Sequence, residues 1–288
     1  MTATPAARFH PPAESLDWES DVRVLTPDSF AGRRAIVTGA GTGIGQGIAK
    51  RLVELGAHVV GLGRRVDKLE ETAAIVAKLP GTFEWTTVDL RDAEAARAAL
   101  GAASEPGLDL LVNNAGGQFY AGIDSLSDRG FRSVVDLNLN AVFTAISACQ
   151  GALARRGGAI VSISLSGVDR GSVGIGHSSA ARAGVLALTR TIALEWAHLG
   201  IRANCIGPGA VLTSQLPPLV TTDLTDRVVP TAIPSGRATP IEDIAETVAF
   251  LGSPAGRMLT GQLLQVDGGA HLGAGLHMLE QWPPGSSD

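Results

Sequence analysis

A glycine-rich turn near the start of the chain has the residue types and spacing of a phosphate-binding site. The apolar segment AIVT leads into TGAGTGIG, residues 38–45, and the helical pattern QGIAKRLVELG follows. Alternate glycines allow a tight turn and the close approach of a ligand. The amino end of the following helix offers free N–H groups and a positive dipole end to a phosphate. A strand before such a turn and a helix after it predict a dinucleotide-binding site.

The end of the next predicted strand indicates which dinucleotide would bind. A site specific for NAD places an acid here, which accepts a hydrogen bond from the ribose 2′-hydroxyl. In this chain the strand ends in VVGLGRR, so Arg64 and Arg65 follow and no acid is present. Guanidinium groups suit a 2′-phosphate. The sequence therefore predicts NADPH/NADP+ as the cofactor, and the alternative is that both arginines are only solvated.

Further motifs follow the turn in a fixed order along the chain. They are VDL at 88–90, NNAG at 113–116, Asn138 within DLNLN, PG at 208–209 and DGG at 267–269. With the turn, they resemble the signature of the short-chain dehydrogenase/reductase family over about residues 28–271. The resemblance implies that the following residues bind the cofactor: Thr38, Gly39, Gly41, Thr42, Gly43, Ile44, Gly45, Arg64, Arg65, Asp89, Leu90, Asn114, Ala115, Gly116, Arg182, Pro208, Gly209, Val211 and Thr213.

Two stretches give a narrower resemblance within the family. NAGGQF at 114–119 and HSSAARAGV at 177–185 are similar to the peroxisomal trans-2-enoyl-CoA reductases and to a bacterial group of citronellol dehydrogenases. The segment LALTRTIALEWAHLGIRANCIGPG, which follows, continues this similarity. The resemblance implies a small-molecule substrate that is reduced or oxidised by hydride transfer.

The chain departs from the family pattern at the positions that carry the reaction. Most members use Ser, Tyr and Lys, and this chain has Leu165, Ser178 and Arg182 there; its single tyrosine, Tyr120, lies elsewhere. Ketone reduction needs a positioned acid, worth about 10²–10⁴ in rate. Neither a serine hydroxyl nor a guanidinium with a pKa above about 12 supplies one. Reduction of an enoyl thioester is less demanding, because fixed hydrogen-bond donors stabilise the enolate and water can protonate Cα.

Several residues near these positions are candidates for the reaction. Arg182 lies one helical turn after Ser178 and faces the same side, so we expect it to hold the nicotinamide ribose hydroxyls. The alternatives are that Ser178 and Ser179 cap the helix, that His177 is a packing or surface residue, and that Tyr120 is structural. The predicted catalytic residues are Asn138, Ser178, Arg182, Ser164, Ser166, Tyr120 and His177, with Gln118 as a further hydrogen-bond donor.

Short segments rich in β-branched residues alternate with helical patterns from Arg34 onward. This alternation predicts a doubly wound parallel α/β sheet of about seven strands in a single domain, the Rossmann fold that the resemblance implies. The predicted strands are Ala35–Thr38, His58–Leu62, Phe83–Val88, Leu108–Asn113, Ala159–Ser164, Ile201–Ile206 and Leu263–Val266. The predicted helices span roughly residues 44–55, 67–79, 92–102, 128–149, 178–199 and 241–251.

Residues 209–238 interrupt this alternation. They contain Pro217, Pro218, Pro230 and Pro234 without clear periodicity, and a loop of this length in a compact domain is typical of a lid over a site. The sequence therefore divides into an N-terminal arm at 1–30, an NADP(H)-binding catalytic domain at 31–271 that carries this substrate loop, and a tail at 272–288.

The composition of the chain argues against several classes of protein. The 288 residues have a formal net charge of −5, which disfavours nucleic-acid binding because no basic stripe can neutralise phosphates. No apolar run approaches the roughly 18 residues of a membrane span, and the first residues lack the apolar region of a signal peptide. Cys149 and Cys205 lack metal-ligand spacing and predict reduced thiols in the cytoplasm.

Three functions are compatible with these features. The first is NADPH-dependent reduction of an activated C=C bond, as in a 2-enoyl thioester. The second is an alcohol or aldehyde dehydrogenase for a small terpenoid-like substrate, which would need Tyr120 or His177 as its proton donor. The third is a cofactor-binding protein with a non-redox or biosynthetic role. The resemblance also implies a homo-oligomer, a dimer or tetramer built on the helices near 128–149 and 178–199.

Overall fold

The computed structural model describes residues 25–213, 222, 226 and 229–272, and its centre is a sheet of seven parallel strands. The strands are β1 (Arg34–Thr38), β2 (His58–Gly63), β3 (Thr82–Thr87), β4 (Leu110–Asn113), β5 (Ala159–Ile163), β6 (Arg202–Pro208) and β7 (Leu263–Val266). Their spatial order is β3-β2-β1-β4-β5-β6-β7. The predicted α/β fold with a parallel sheet of seven strands is confirmed.

Helices cover both faces of this sheet. They are α1 (Gly43–Glu54), α2 (Val66–Val76), α3 (Ala93–Ser104), α4 (Asp128–Val135), α5 (Ala141–Ala154), α6 (Gly176–Glu195), α7 (Val229–Ala232) and α8 (Ile241–Gly252). Alternate residues of a strand point to opposite faces. Ile36 of β1 therefore belongs to one buried cluster, while its neighbours Ala35 and Val37 belong to the other. This double burial explains why the strands are continuous apolar runs.

The order of the strands determines where a ligand can bind. From β1 the chain proceeds outward to β2 and β3, and it then returns to place β4 on the other side of β1. The connections therefore diverge at the carboxyl ends of β1 and β4, and doubly wound sheets bind their ligands in the crevice at this point. The glycine-rich turn after Thr38 and the NNAG motif that begins with Asn113 both lie there.

The boundaries of two helical regions differ from the sequence prediction. Helix α6 begins at Gly176 with Ile175 as its N-cap residue, so the interpretation of Ser178 and Ser179 as helix caps is wrong. It ends at Glu195, before the predicted boundary, and a short 3₁₀ turn follows. Helices α4 and α5 are joined by a π-helical turn at Asp136–Asn140, which makes residues 128–154 one helical stretch.

That helical stretch is long and apolar enough to cross a membrane by length and composition alone, which the search for continuous apolar runs did not detect. Half of its apolar window is buried inside the fold. Val142, Ile146 and Cys149 of α5 belong to the same buried cluster as Leu100 of α3. Packing in the core of the domain thus accounts for the apolar composition of this stretch.

The terminal and loop segments lie only partly within the described residues. Phe30, which the sequence analysis assigned to the arm, is fully buried in the core, and the N–H of Leu25 donates to Glu246. Within the predicted substrate loop, the short helix α7 precedes Ile233, which is buried. Pro217, Pro218, residues 1–24 and the tail from 273 onward lie outside the described residues.

Candidate cofactor and substrate site

The turn between β1 and α1 has a backbone that only glycine adopts easily. Gly39 and Gly43 have φ angles of 69° and 54°, in the left-handed region that other residues rarely occupy. A β-carbon on Gly45 would collide with the carbonyl oxygen of Gly39 and with the side chain of Asn114. The glycines therefore bring the start of α1 into direct contact with the end of β1.

The amino end of α1 is open to an anion. Its N-cap residue, Thr42, makes no side-chain capping hydrogen bond, and the first turn contains no acidic residue. The first N–H groups of a helix lack partners within the helix, so an anion at this position satisfies them. Arg65 donates to the Thr42 hydroxyl at 3.3 Å, which places a guanidinium beside the turn. The amino end of α1 and the glycine-rich turn thus form a cradle that suits the pyrophosphate of a dinucleotide.

The side chain of Thr38 ties β1 to β4 below this cradle. Its hydroxyl donates to the carbonyl of Val112 at 3.2 Å and accepts from the backbone N–H groups of Asn114 and Ala115, both at 3.0 Å. The amide of Asn114 donates in turn to the carbonyls of Thr38 and Gly39, at 3.0 and 3.3 Å. The NNAG segment is thus held rigidly against the glycine-rich turn.

A cluster of charges lies at the ends of β2 and β3. The Arg91 guanidinium donates to both carboxylate oxygens of Asp89, at 2.5–3.2 Å, and holds the pKa of this carboxyl down at about 2. Arg64 is more than half exposed, and its guanidinium lies 3.9 Å from the same carboxylate. Because the carboxylate of Asp89 is already paired with Arg91, the guanidinium of Arg64 stays available to a further anion. Arg91 was not predicted from the sequence, although its position two residues after Asp89 was a usable signal.

Asn138 lies in the π-helical turn between α4 and α5, where it is 1 % exposed. Its side-chain oxygen accepts from the N–H of Gly117 at 2.9 Å, and its amide donates to the carbonyl of Gly117 at 3.0 Å and to the Ser178 hydroxyl at 3.4 Å. Asn138 therefore fixes the loop that follows NNAG and also contacts the residue at the position of the family's tyrosine. The role of Gly117 was not foreseen from the sequence.

Arg182 lies one turn further along α6, and its guanidinium is buried. It donates to the carbonyl of Ile163 at the end of β5 and lies against Gly116, where a β-carbon would collide with it. Burial lowers the pKa of Arg182 to about 10, below the value above 12 that we expected. The group stays protonated at neutral pH and is therefore a fixed positive charge rather than a proton donor.

The two candidate serines after β5 already donate to protein groups. Ser164 donates to the backbone carbonyl of Arg182 at 3.4 Å, and Ser166 donates to the carboxylate of Asp267. The same carboxylate accepts from the backbone N–H groups of Gly269 and His271 at 2.9 and 2.7 Å. Ser164 and Ser166 thus fasten β5 to α6 and to the DGG turn, and they do not present free hydroxyl protons.

His177 is fully buried at the start of α6, so of the alternatives of a surface or a packing residue, burial agrees with packing and excludes the surface. Its Nδ1 accepts from the N–H of Ser178 at 2.7 Å, which places the proton of the neutral ring on Nε2. That atom is buried and has no partner among the described residues. The ring meets Phe119 in a T-shaped contact, with 4.4 Å between centroids. Tyr120, in contrast, is 70 % exposed.

The remaining predicted cofactor residues lie around the turn, except for the side chain of Leu90, which is buried in the core. The N–H of Gly209 donates to the carbonyl of Val266 at 3.0 Å. A β-carbon on Gly43 would lie 3.5 Å from Cγ2 of Thr213, so the segment after β6 reaches the glycine-rich turn. The motifs at 38–45, 113–116 and 208–213 therefore meet at one edge of the sheet.

A sequence model described as enoyl-(acyl carrier protein) reductase matches residues 39–271, from the glycine-rich turn to two residues beyond the DGG motif. The chain belongs to the short-chain dehydrogenase/reductase family. Members of this family are oxidoreductases, and the match covers the contacts of this site described above except those made by Thr38. Leu165, Ser178 and Arg182 are thus departures within a true member of the family.

Two relatives illustrate the range of activities around this chain. The peroxisomal 2,4-dienoyl-CoA reductase of Saccharomyces cerevisiae is 34% identical over 255 residues, which are 86% of this chain and 87% of that protein. The 2-dehydro-3-deoxy-D-gluconate 5-dehydrogenase of Bacillus subtilis is 33% identical over 243 residues, which are 84% of this chain and 95% of that protein. The first relative is named for the reduction of a C=C bond and the second for the oxidation of an alcohol. Sequence similarity alone therefore does not decide between these two reactions for this chain.

Solved structures show the same fold. The citronellol catabolism dehydrogenase of Pseudomonas aeruginosa aligns with a TM-score of 0.75 and 33% identity, over 86% of this chain and 98% of that one. A short-chain type dehydrogenase/reductase from Mycobacterium marinum gives 0.78 and 29%, over 84% and 96%. A variant of actinorhodin polyketide ketoreductase, solved with NADPH, gives 0.77 and 32%, over 83% and 97%.

Proposed function

We propose that this protein is an NADPH-dependent reductase of the C=C bond in a 2-enoyl thioester. The observation that supports this most is the environment of Ser178. Its hydroxyl oxygen accepts from Asn138, and within the described residues no titratable side chain donates to it or accepts from it. The site therefore offers a positioned neutral donor where carbonyl reduction would need an acid.

The residues around the glycine-rich turn support NADPH as the cofactor. The open amino end of α1 suits the pyrophosphate, and Arg64 and Arg65 at the end of β2 suit the 2′-phosphate. The buried guanidinium of Arg182 suits the hydroxyls of the nicotinamide ribose, because only one of its five N–H groups is used in a hydrogen bond with a described residue. When bound, the dinucleotide supplies a hydride to Cβ of the substrate, and water supplies the proton at Cα.

The protein's part in this reaction is to stabilise the negative charge on the thioester oxygen. Asn138 donates to Ser178, so the hydroxyl proton of Ser178 stays free for the substrate oxygen. Ser178 is 1 % exposed, and a fixed donor in a site without bulk water stabilises a developing oxyanion strongly. The positive charge of Arg182, one turn away, acts in the same direction.

A dehydrogenase acting on a small alcohol or aldehyde is the second candidate, and His177 favours it. His177 adjoins Ser178 in α6, and its buried Nε2–H has no partner among the described residues, so this N–H can protonate a carbonyl oxygen during aldehyde reduction. The His177 ring forms a T-shaped contact with Phe119, and its Nε2 is buried, so this role requires side chains around the ring to move and admit the substrate.

Absorbance of NADPH separates the candidate functions. The purified protein is mixed with NADPH and trans-2-enoyl-CoA esters of several chain lengths, and citronellal is tested in parallel. Oxidation with the esters alone supports the enoyl reductase, and oxidation with citronellal alone supports the dehydrogenase. No oxidation with either, together with tight NADPH binding, argues against both of these substrates and leaves a different substrate or the non-redox role.

A pair of serine variants tests the role of Ser178. We expect Ser178→Ala to lower kcat for the enoyl ester by about 10²–10³. Ser179→Ala is the matched control, since this neighbouring buried hydroxyl has no partner among the described residues. Equal kcat in both variants would remove Ser178 from the mechanism.

Two further proposals concern assembly and location. The exposed apolar side chains of Phe131, Phe143 and Leu194, on α4, α5 and α6, support a homo-oligomer built on these helices. Light scattering of the purified protein distinguishes a dimer or tetramer from a monomer. The buried free thiols Cys149 and Cys205 support a cytoplasmic location.

A further inference from the structure

A polar cavity lies at the amino ends of the strands, on the side of the sheet opposite to the glycine-rich turn. It has a volume of about 220 Å³ and lies among the amino ends of β1, β4, β5 and β6. Arg33 precedes β1, Arg156 precedes β5, Arg202 begins β6, and Arg257 follows α8. The guanidinium-bearing residues of four separate segments therefore converge on one cavity, although they are spread over more than 220 residues of sequence.

The cavity has an excess of positive charge. The four arginines line it with a single acid, Asp109, and one carboxylate oxygen of Asp109 already accepts from the backbone N–H of Arg34 at 2.9 Å. The chain as a whole has 28 acids and a net charge of −5. Positive charge is thus concentrated here against the overall balance of the protein.

Most of these guanidiniums lack polar partners. Among the described residues, the side chains of Arg33, Arg156 and Arg257 form no hydrogen bond and no ion pair; Arg33 lies 5.8 Å from the ring centroid of Phe30. Arg202 is the exception, since it donates to the carbonyls of Gly256 and Leu259 at 2.9 and 3.4 Å. Three forked donors around one cavity are therefore available to a ligand.

The arginines also repel one another. Burial lowers the pKa of Arg202, and the positive charge of Arg33 lowers it further. Like charges interact more strongly where solvent is partly excluded, so the proximity of these arginines carries an electrostatic cost that a bound anion would lower. Gly157 and Gly158 form part of the wall without side chains, which leaves room for such an anion.

We propose that this cavity is a second ligand site, separate from the cofactor site, and that it binds the phosphate or pyrophosphate group of a compact anion. Guanidinium forks match phosphate oxygens in both geometry and charge. A volume of about 220 Å³ is smaller than the roughly 300–1,000 Å³ of pockets that enclose whole organic ligands. The site therefore takes the phosphorylated group itself, either free or at the end of a larger molecule.

Such a ligand would link segments that are distant in the chain. It would bridge the residue before β1, the turn before β5 and the segment after α8, and it would stabilise the folded protein because the unfolded chain has no such cluster. The ligand would not touch the glycine-rich turn, which lies at the carboxyl end of β1.

Calorimetric titration of the full-length protein tests this site. Orthophosphate, pyrophosphate and ADP are titrated into the protein saturated with NADP+, which occupies the cofactor turn, in chloride buffer at constant ionic strength, since screening weakens all such contacts. We expect one site per chain, and we expect Arg156→Ala/Arg257→Ala to raise Kd for pyrophosphate at least tenfold. Both side chains are exposed and have no polar partner among the described residues, so we expect the fold to be retained. The control Arg129→Ala/Arg190→Ala removes two exposed arginines from α4 and α6 and should change Kd less than twofold.

The outcomes separate the possible ligands and sites. Binding of ADP as tight as that of pyrophosphate, with the same loss in the double variant, supports a phosphorylated organic ligand. Binding of the inorganic anions alone supports a free anion. Binding of pyrophosphate only in the absence of NADP+ would place it at the cofactor turn and overturn the proposal. Equal Kd in the two double variants, or no binding to the unmodified protein, would overturn it as well.

Discussion

The guanidinium of Arg182 lies so close to the backbone of Gly116 that a β-carbon on this glycine would overlap its Nη2. The same β-carbon would lie 3.1 Å from the side-chain oxygen of Asn138. The end of β4, the π-helical turn and α6 therefore meet at one point without a gap. Arg182 replaces the smaller ammonium that most of the family has there, and the glycine provides the space for it.

We expect Gly116→Ala to displace Arg182 and lower kcat/KM for NADPH by about 100-fold, because a shift of about 1 Å at a catalytic site costs this much. Gly117→Ala is the matched control, since its β-carbon would have Leu137 Cδ2 as its nearest neighbour, at 3.8 Å. The measurement is steady-state kinetics with NADPH as the varied substrate. Equal kinetics for the two variants would show that the contact has no functional role.

Two substitutions of Arg182 separate the effect of its charge from the effect of its shape. Arg182→Ala removes the buried charge, and we expect a higher KM for NADPH together with a sharply lower kcat. Arg182→Lys keeps the charge and should recover part of the loss, because an ammonium can still bind the ribose hydroxyls. Arg190→Ala, two turns further along the same helix and exposed, is the control. If Arg182→Ala has normal kinetics, Arg182 does not belong to the site.

The parts of the fold that local sequence patterns encode were predictable. The glycine-rich turn, the seven strands and the meeting of the NNAG and PG motifs all follow from short-range periodicity and from the strand order of doubly wound sheets. Helix α6 was less predictable, because nothing polar marks its start at Gly176 and the two serines after it imitate a cap.

Contacts between distant segments could not be read from the sequence. The hydroxyls of Ser164 and Ser166 are candidate donors by position, and only the packed structure directs them to Arg182 and Asp267. The burial of His177 depends in the same way on its contact with Phe119, which comes from another loop. The cavity lined by arginines was the least predictable site. Its arginines are far apart in the sequence, and they meet only because the parallel sheet places the amino ends of its strands side by side.

Replacing Arg64 and Arg65 with alanine should abolish the preference for NADPH over NADH. Both lie at the end of β2. A third arginine near this strand end, Arg91, is already paired with Asp89 and is therefore not available to the 2′-phosphate. The measurement is the ratio of kcat/KM for the two cofactors. Arg97→Ala, an exposed arginine on α3, should leave this ratio unchanged. A preference that survives the double change would mean that other residues bind the 2′-phosphate.

Asp267 should stabilise the fold in a way that depends on pH. Burial alone raises the pKa of Asp267, but hydrogen bonds from Ser166, from His271 and from two backbone N–H groups outweigh it, so the pKa lies below its ordinary value. A carboxyl with a lowered pKa stabilises the folded state above its unfolded pKa of about 3.9, and this stabilisation is lost as the pH falls through the folded pKa.

We therefore expect Asp267→Asn to lower the free energy of unfolding by about 1–3 kcal/mol at neutral pH, since hydrogen bonds to a charged group are lost. The difference from the unmodified protein should stay constant above about pH 5 and shrink below about pH 4. Urea unfolding at a series of pH values measures it. Asp169→Asn is the control, because this carboxylate is exposed on the loop after β5. A difference that is the same at pH 3 and pH 7 would show that Asp267 acts through its shape rather than through its charge.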